Sequence, residues 1–548
     1  MNVTAQRRPT DAAPTEGLLA PMGAWLAAQR WSTIPAPARD AARVQILNMI
    51  AAVHATARSP ETRDLLTALP AGDGRSTVIA TGRRVAATDA AYINAAFSMA
   101  QDYDDIIWMG HTCHSAVFAA MAVAEAEGAS SRDMIAAVVL ANEIAGRIGG
   151  STFFGPLNGQ MWTFIHLVGA AAATAHLLGL DAERSTHALA IALSQPPFAL
   201  QPAFFTPTSK FLAASVPTQI GIQAAYFARA GMTGAPHILE DRKGFWKWFA
   251  FRPLPGVLAD LGTWWAIQTL AIKTYPACNY FQTACTALEQ TCAQRWPAAP
   301  EEVEQVTVHV NLLANEARRF ALEYATGEAP QLTPLGVEFD LALTVSVLLH
   351  ARRLTGNECE PAWLRANAEP LRRWYRRIKV VHDPLLTLRV FDTALRIDAG
   401  RAALRALRPR ELLQLARDYR THYGSSLLRA GELASWLRAV AERIVRPPVP
   451  DDTSEYLPVY FPNAVELRFA DGTVAREQVE LQTGSMAAPT MPAVLEEKFL
   501  REVSPRIGSG RAVAALAAGL ALDGESPAAF TARLVPLAEP RGAAEEAR

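Results

Sequence analysis

Three carboxylates and two histidines fall within a single short stretch: Asp102, Asp104, Asp105, His111 and His114. The residues before them (Ala91, Ala95, Ala96, Ser98, Ala100) and those after about Ser115 are small and apolar, a composition that lets helices pack closely. Charged groups are rarely set between two core helices unless they are paired, coordinated or catalytic. Three close carboxylates can hold a metal, act as acid or base, or cap the following segment. His111 and His114, three residues apart, could chelate zinc, but neither an HExxH motif nor a matched cysteine set accompanies them. The expectation is therefore no metal. A histidine beside a carboxylate is suited to general acid–base work near neutral pH, so His111 is expected to move a proton, oriented by Asp102.

Lys210, in the run Pro207–Leu212, and Lys273, in Ala271–Cys278, each stand at an apolar loop-to-helix junction. Each reads either as a solvated surface charge or as a group that binds carboxylate or enolate oxygens and stabilises developing negative charge. The GxGxxG, GxxxxGK[ST] and GxSxG patterns are absent, so nucleotide-cofactor and serine-hydrolase readings lack their supporting residues. No cofactor is expected.

The elements that must position these groups follow from periodicity. Residues 1–16 read as a disordered leader, and Gly17–Arg30 and Pro37–Ala57 as amphipathic helices. From Ala87 to about Gly234 nearly everything reads as alanine-rich helix, as in Ser131–Ile148 and Val168–Leu178. The texture changes near Thr263. Glu304–Val310, Ile378–His382 and Ala464–Phe469 alternate as half-buried strands do, and Asp471-Gly472 marks a hairpin into Val474–Leu481. After Pro489 helices return (Ala493–Val503, Gly510–Ala521). The fold class is thus mainly α with a second α+β domain. The helical domain comprises residues 17–265 and 486–548, and the α+β domain, residues 266–485, is inserted like a lid. An Arg- and Leu-rich segment of about 385–455, helical in pattern over Ala399–Arg417 and Leu427–Val445, interrupts the strand pattern.

At 548 residues the chain exceeds what one core usually holds, and its formal net charge of −1 leaves no footprint for nucleic acid or an anionic membrane. The five cysteines form no CxxC pair and read as buried free thiols of a reducing compartment. The polar N-terminus does not read as a signal peptide, and no apolar run reaches the roughly 20 residues a membrane span needs. A cytoplasmic location is expected.

Taken in order, the DYDD stretch with its histidine, the run Gly169–Asp181, Ser209-Lys210, Lys273–Cys278, Phe461–Leu467 and the helix bearing Lys498-Phe499 resemble the MmgE/PrpD family. The resemblance covers most of residues 20–505 apart from the insertion. It implies a helical domain with an α/β lid, a homodimer, a cofactor-free cleft, and proton transfer beside a carboxylate of a small organic acid. The implied catalytic residues are Asp102, His111, Lys210 and Lys273. The implied substrate contacts are Asp105, Ile106, Gln160, His166, Ala213, Tyr275 and Cys278. Ile106 stands where the family commonly has Thr, Gln160 where it has a histidine, and Leu212-Ala213 where Leu-His is usual. A citrate-like trianion would lose hydrogen bonds at these positions, so a substrate with fewer carboxylates and more apolar surface is expected. The implied activity is a lyase of dehydratase or decarboxylase type. An epimerase, isomerase or cyclase using the same proton transfer, and an inactive paralogue acting as a partner subunit, are the alternatives.

Overall fold

The computed structural model describes residues 17–536 apart from 58, 70–71, 109, 157–162, 206–207, 326, 328, 393–408, 424–434, 437 and 439–454. The leader, Gln160 and most of the 385–455 segment lie outside the described residues.

Two apolar cores organise the chain. The first gathers side chains from Leu19 to Ile272 and again from Met486 to Leu534. Its main helices are Ala36–Thr56, Ala87–Met99, Cys113–Glu127, Ser131–Ser151, Phe164–Leu177 and Leu212–Arg229, joined by the returning helices Met491–Ile507, Ser509–Leu520 and Pro527–Leu534. Small residues decide how closely these pack. A Cβ on Gly221, in Leu212–Arg229, would sit 2.2 Å from the Leu167 carbonyl oxygen of Phe164–Leu177, so glycine there sets the separation of the two helices. Ends are fixed locally: Ser130 and Asp133 form a capping box on Ser131–Ser151, and Gly128 closes Cys113–Glu127 at φ +71.

The second core runs from Tyr275 to Trp374 and Val459 to Phe469, with Met99, Ile106, Phe204, Ala214 and Ala271 contributed from the first half. It covers one face of a four-stranded sheet in the order Ile378–His382, Val303–Val310, Tyr460–Phe469, Val474–Leu481. The first pair is parallel and the other two are antiparallel. Val306, Val308 and Val310 are buried, as an alternating strand requires. Gly472, at φ +84, turns the hairpin. The mainly α architecture with an α+β part is therefore as read from sequence. Differences are at element ends: the helix expected from Ser115 begins at Cys113. Of the helix expected over 399–417, residues 399–408 lie outside the described residues and the rest falls in Pro409–Tyr423. Among the described residues no helix is long and apolar enough to cross a membrane.

Candidate active site

Three distant pieces of chain meet at the site. Past Met99 the backbone turns through Asp102, whose φ of +50 is one that Asp tolerates better than most residues. Asp105-Ile106 then pairs antiparallel with Ala271-Ile272, and the Lys273 N–H donates to the Asp104 carbonyl at 3.1 Å. The returning chain closes on the same segment: the Ile272 N–H donates to the Gly484 carbonyl at 2.9 Å. A Cβ on Gly484 would lie 2.1 Å from the Ile272 carbonyl oxygen, so the close approach needs glycine.

This pairing sets two lysines among carboxylates. Lys273 Nζ lies 2.5 Å from Asp102 Oδ2, 2.5 Å from Asp104 Oδ1 and 2.8 Å from the Asp102 carbonyl oxygen. Lys210 Nζ donates to Asp102 Oδ1 at 3.0 Å, Glu338 Oε2 at 2.7 Å and the Met99 carbonyl at 3.3 Å. Both lysines are fully buried, which excludes the solvated-surface reading. Both ammonium groups are bound to the protein's own carboxylates. Burial would lower the Lys210 pKa, yet Asp102 and Glu338 raise it above the ordinary lysine value. Burial likewise opposes ionisation of Asp102, but the two lysines outweigh it and hold the carboxyl at about 2. Glu338 goes the other way, pushed up to about 8 by burial despite the pull of Lys210.

His111 is held from behind. Its Nδ1 lies 2.7 Å from Asp104 Oδ2 and 2.8 Å from the Asp105 carbonyl oxygen. Both are acceptors, so Nδ1 carries the hydrogen and Nε2 is the basic nitrogen. The orienting carboxylate is thus Asp104, not Asp102. Asp102 serves the lysines. Burial would raise Asp104, but Lys273 and the two histidines hold it well below the usual carboxylate range. Asp105 accepts from Gln45 Nε2 and Asn48 Nδ2, each at 3.0 Å, and burial plus the Asp104 charge push it up to about 6.

A cavity of about 120 Å³ opens on this cluster, lined by Asp102, His111, Cys278 and Asn279 and by Phe204, Phe205, Phe320 and Phe339. A larger cavity of about 310 Å³ lies beyond Gln101, but neither His111 nor an acid of the cluster lines it. The smaller one is the candidate site. Of the expected substrate contacts it includes Cys278, whose thiol burial pushes up to about 12. Gln160 lies outside the described residues, and the remaining ones do not line it. Ile106 packs into the second core beside Ala271, and Ala213 packs against the same core. Tyr275 is turned away, its hydroxyl donating to Glu289 Oε2 at 2.7 Å. His166 is buried behind His114, with Nδ1 3.4 Å from Ser115 Oγ, and Asp105 faces Gln45 and Asn48.

Asp104, Cys113 and His114 bring three ligand atoms within 4.8 Å of one another. Lys273 sits on the same Asp104 carboxylate, and burial raises the Cys113 thiol well above its ordinary value. A thiol that keeps its proton and a carboxylate already shared with Lys273 make this donor set unfavourable to a cation. Sequence reasoning missed Glu338, Asn279 and the phenylalanine wall, and gave Lys498 no role. Lys498 is buried with Nζ on Asn48 Oδ1 (2.7 Å) and on the carbonyls of Tyr103 (2.8 Å) and Lys273 (2.9 Å), and burial lowers it to about 7.

Residues 21–255 match the model of the MmgE/PrpD N-terminal domain. Among relatives it is similar to the cis-aconitate decarboxylase of Aspergillus terreus (strain NIH 2624 / FGSC A1156), 28% identical over 53% of this chain and 63% of that one. It is also similar to the cis-aconitate decarboxylase of Homo sapiens, 28% identical over 35% of this chain and 42% of that one. The chain spans less than two thirds of the length of these relatives.

Proposed function

We propose that the protein is a lyase of the dehydratase or decarboxylase type that transfers a proton at a carbon beside the carboxylate or carbonyl of a small organic acid. The carrying observation is His111, set on the cavity wall with Nδ1 tied at 2.7 Å to an ionised Asp104. That contact fixes the tautomer, aims Nε2 as the base, and stabilises the imidazolium once the proton is taken. The names of the relatives support the lyase outcome. The imidazole and the amide donors of the cavity are sufficient for proton transfer, so the reading calls for no cofactor.

The test is incubation in D₂O with small mono-, di- and tricarboxylates and β-keto acids, followed by proton NMR. Exchange beside a carboxyl that His111→Ala abolishes supports the reading, and the product identifies the class. A product of unchanged composition would assign an isomerase, epimerase or cyclase. Exchange that persists in His111→Ala refutes the assignment of the base.

A further inference from the structure

The cavity wall carries acids and amides but no cation. Its titratable lining is Asp102, His111, Cys278, Tyr280 and Glu316, and no lysine or arginine stands among the described lining residues. Behind the wall the charges already balance. The two buried lysines face Asp102 and Asp104, and Glu338 sits on Lys210 as a third carboxyl group. Whether Glu338 is ionised or neutral, the sum of these five groups is not positive. A polycarboxylate entering here would be desolvated against carboxylates with no counter-charge, a costly arrangement.

What the wall offers instead is neutral donors. Asn279 is 1% exposed and lines the cavity, and its Nδ2 has no protein partner. The orientation of that amide is fixed. Gln482 Nε2 reaches both the Asn279 backbone carbonyl oxygen, at 3.4 Å, and Asn279 Oδ1, at 3.0 Å. A carbonyl only accepts, so the Gln482 atom is the nitrogen, the Asn279 atom facing it is the oxygen, and Asn279 Nδ2 is left to donate. Gln201, also on the wall, has its Oε1 on the Tyr324 hydroxyl at 3.2 Å and its Nε2 without a partner. A buried donor without an acceptor is costly, and a substrate oxygen would remove that cost. Four phenylalanines also line the cavity, and its volume of about 120 Å³ is on the order of a site that admits one benzene-sized molecule.

We propose that the cavity selects a substrate with one carboxylate or carbonyl head and an aromatic or compact apolar body. Asn279 and Gln201 donate to the head, the phenylalanines hold the body, and Glu338 excludes di- and tricarboxylates by occupying Lys210. This deepens the proton-transfer reading and rests on it for the reaction, though not for the binding.

The experiment is saturation-transfer NMR and calorimetry on the full chain, in buffers of matched ionic strength, with phenylacetate, succinate and tricarballylate as probes. Phenylacetate is expected to bind at least about tenfold more tightly than either polyacid, and Asn279→Ala to lose about tenfold for phenylacetate, the worth of one good hydrogen bond. Glu338→Gln is expected to shift the preference about tenfold toward succinate, because it exposes part of the Lys210 charge. Tricarballylate bound to the unaltered protein as tightly as phenylacetate would overturn the proposal, with no variant needed. Asn279→Ala binding phenylacetate unchanged would overturn the head-group assignment. Deuterium exchange read in the same samples separates the two readings. Tight phenylacetate binding without exchange at its methylene upholds the selectivity and counts against proton transfer; exchange confined to a tightly bound polyacid does the reverse.

Discussion

Asp104→Asn tests the heart of the site. The asparagine is isosteric, but one end of its side chain is an NH₂ group, and Asp104 has a donor on both sides. Lys273 Nζ lies 2.5 Å from Oδ1, and His111 Nδ1 lies 2.7 Å from Oδ2. With the NH₂ toward Lys273, two donors collide. With it toward His111, the imidazole must accept at Nδ1, carry its hydrogen on Nε2, and so cease to be a base toward the cavity. Removing one partner of a buried ion pair costs about 3–5 kcal/mol. Lys273 keeps Asp102 Oδ2 at 2.5 Å, so the lower end, about 3 kcal/mol, is expected, tolerable against a typical stability of about 5–15 kcal/mol. Proton transfer is expected to fall by about a hundred- to ten-thousand-fold, combining loss of the base tautomer with loss of the charge that stabilises imidazolium. Urea denaturation gives the first quantity and the deuterium-exchange rate gives the second. A variant with an unchanged urea midpoint and an exchange rate within about threefold of the original would refute the assigned role of Asp104.

Other consequences are as direct. The Glu338 carboxyl, raised to about 8 in the folded protein, is bound to its proton more tightly than in the unfolded chain. The stabilisation is therefore full below about pH 4.5 and is lost as pH rises toward 8, by up to about 1.4 kcal/mol per pH unit. Glu338→Gln should lack that decline, so parallel stability–pH curves for the two proteins would count against the raised carboxyl. Gly221→Ala should destabilise by about 1–3 kcal/mol through overpacking against Leu167, rather than gain the ~1 kcal/mol of helix propensity; the shift in urea midpoint decides the sign. All five cysteines are buried and free, so a thiol-titrating disulfide reagent should find almost none in the native protein and five after denaturation.

Local pattern made much of this visible. The sheet strands were legible because valines alternate at Val306, Val308 and Val310, and the hairpin because Asp-Gly stands between two alternating runs. The acidic and histidine cluster was legible because charge between apolar helices is conspicuous. What each group faces was not legible. Glu338 lies in the apolar run Pro334–Phe339 and meets Lys210 across 128 residues, so nothing beside it in sequence marks it as an ion-pair partner. The direction of Lys210 and Lys273 depends on a carboxylate count that only the folded chain can supply. Tyr275 has the right composition and neighbours for the site, yet the turn at Thr274 sends its ring toward Glu289. The exchange of Asp102 for Asp104 as the histidine's support depends on one left-handed residue, which the sequence does not announce.

Lys498 gives the site a schedule. Its ammonium joins Asn48, Tyr103 and Lys273, and the first of these precedes it by 450 residues. At a synthesis rate of about 5–20 residues per second, roughly 20 to 90 seconds separate their emergence from a ribosome. For the last 225 residues of that interval the nascent chain holds His111, the acidic cluster and both other lysines, yet the carbonyls of Tyr103 and Lys273 still await the group that fastens them together. The fastening therefore comes late, with the Met491–Ile507 helix that packs against Ala36–Thr56. A chain interrupted before that helix would carry nearly every chemical group of the centre but lack the ammonium that joins Asn48 to Tyr103 and Lys273.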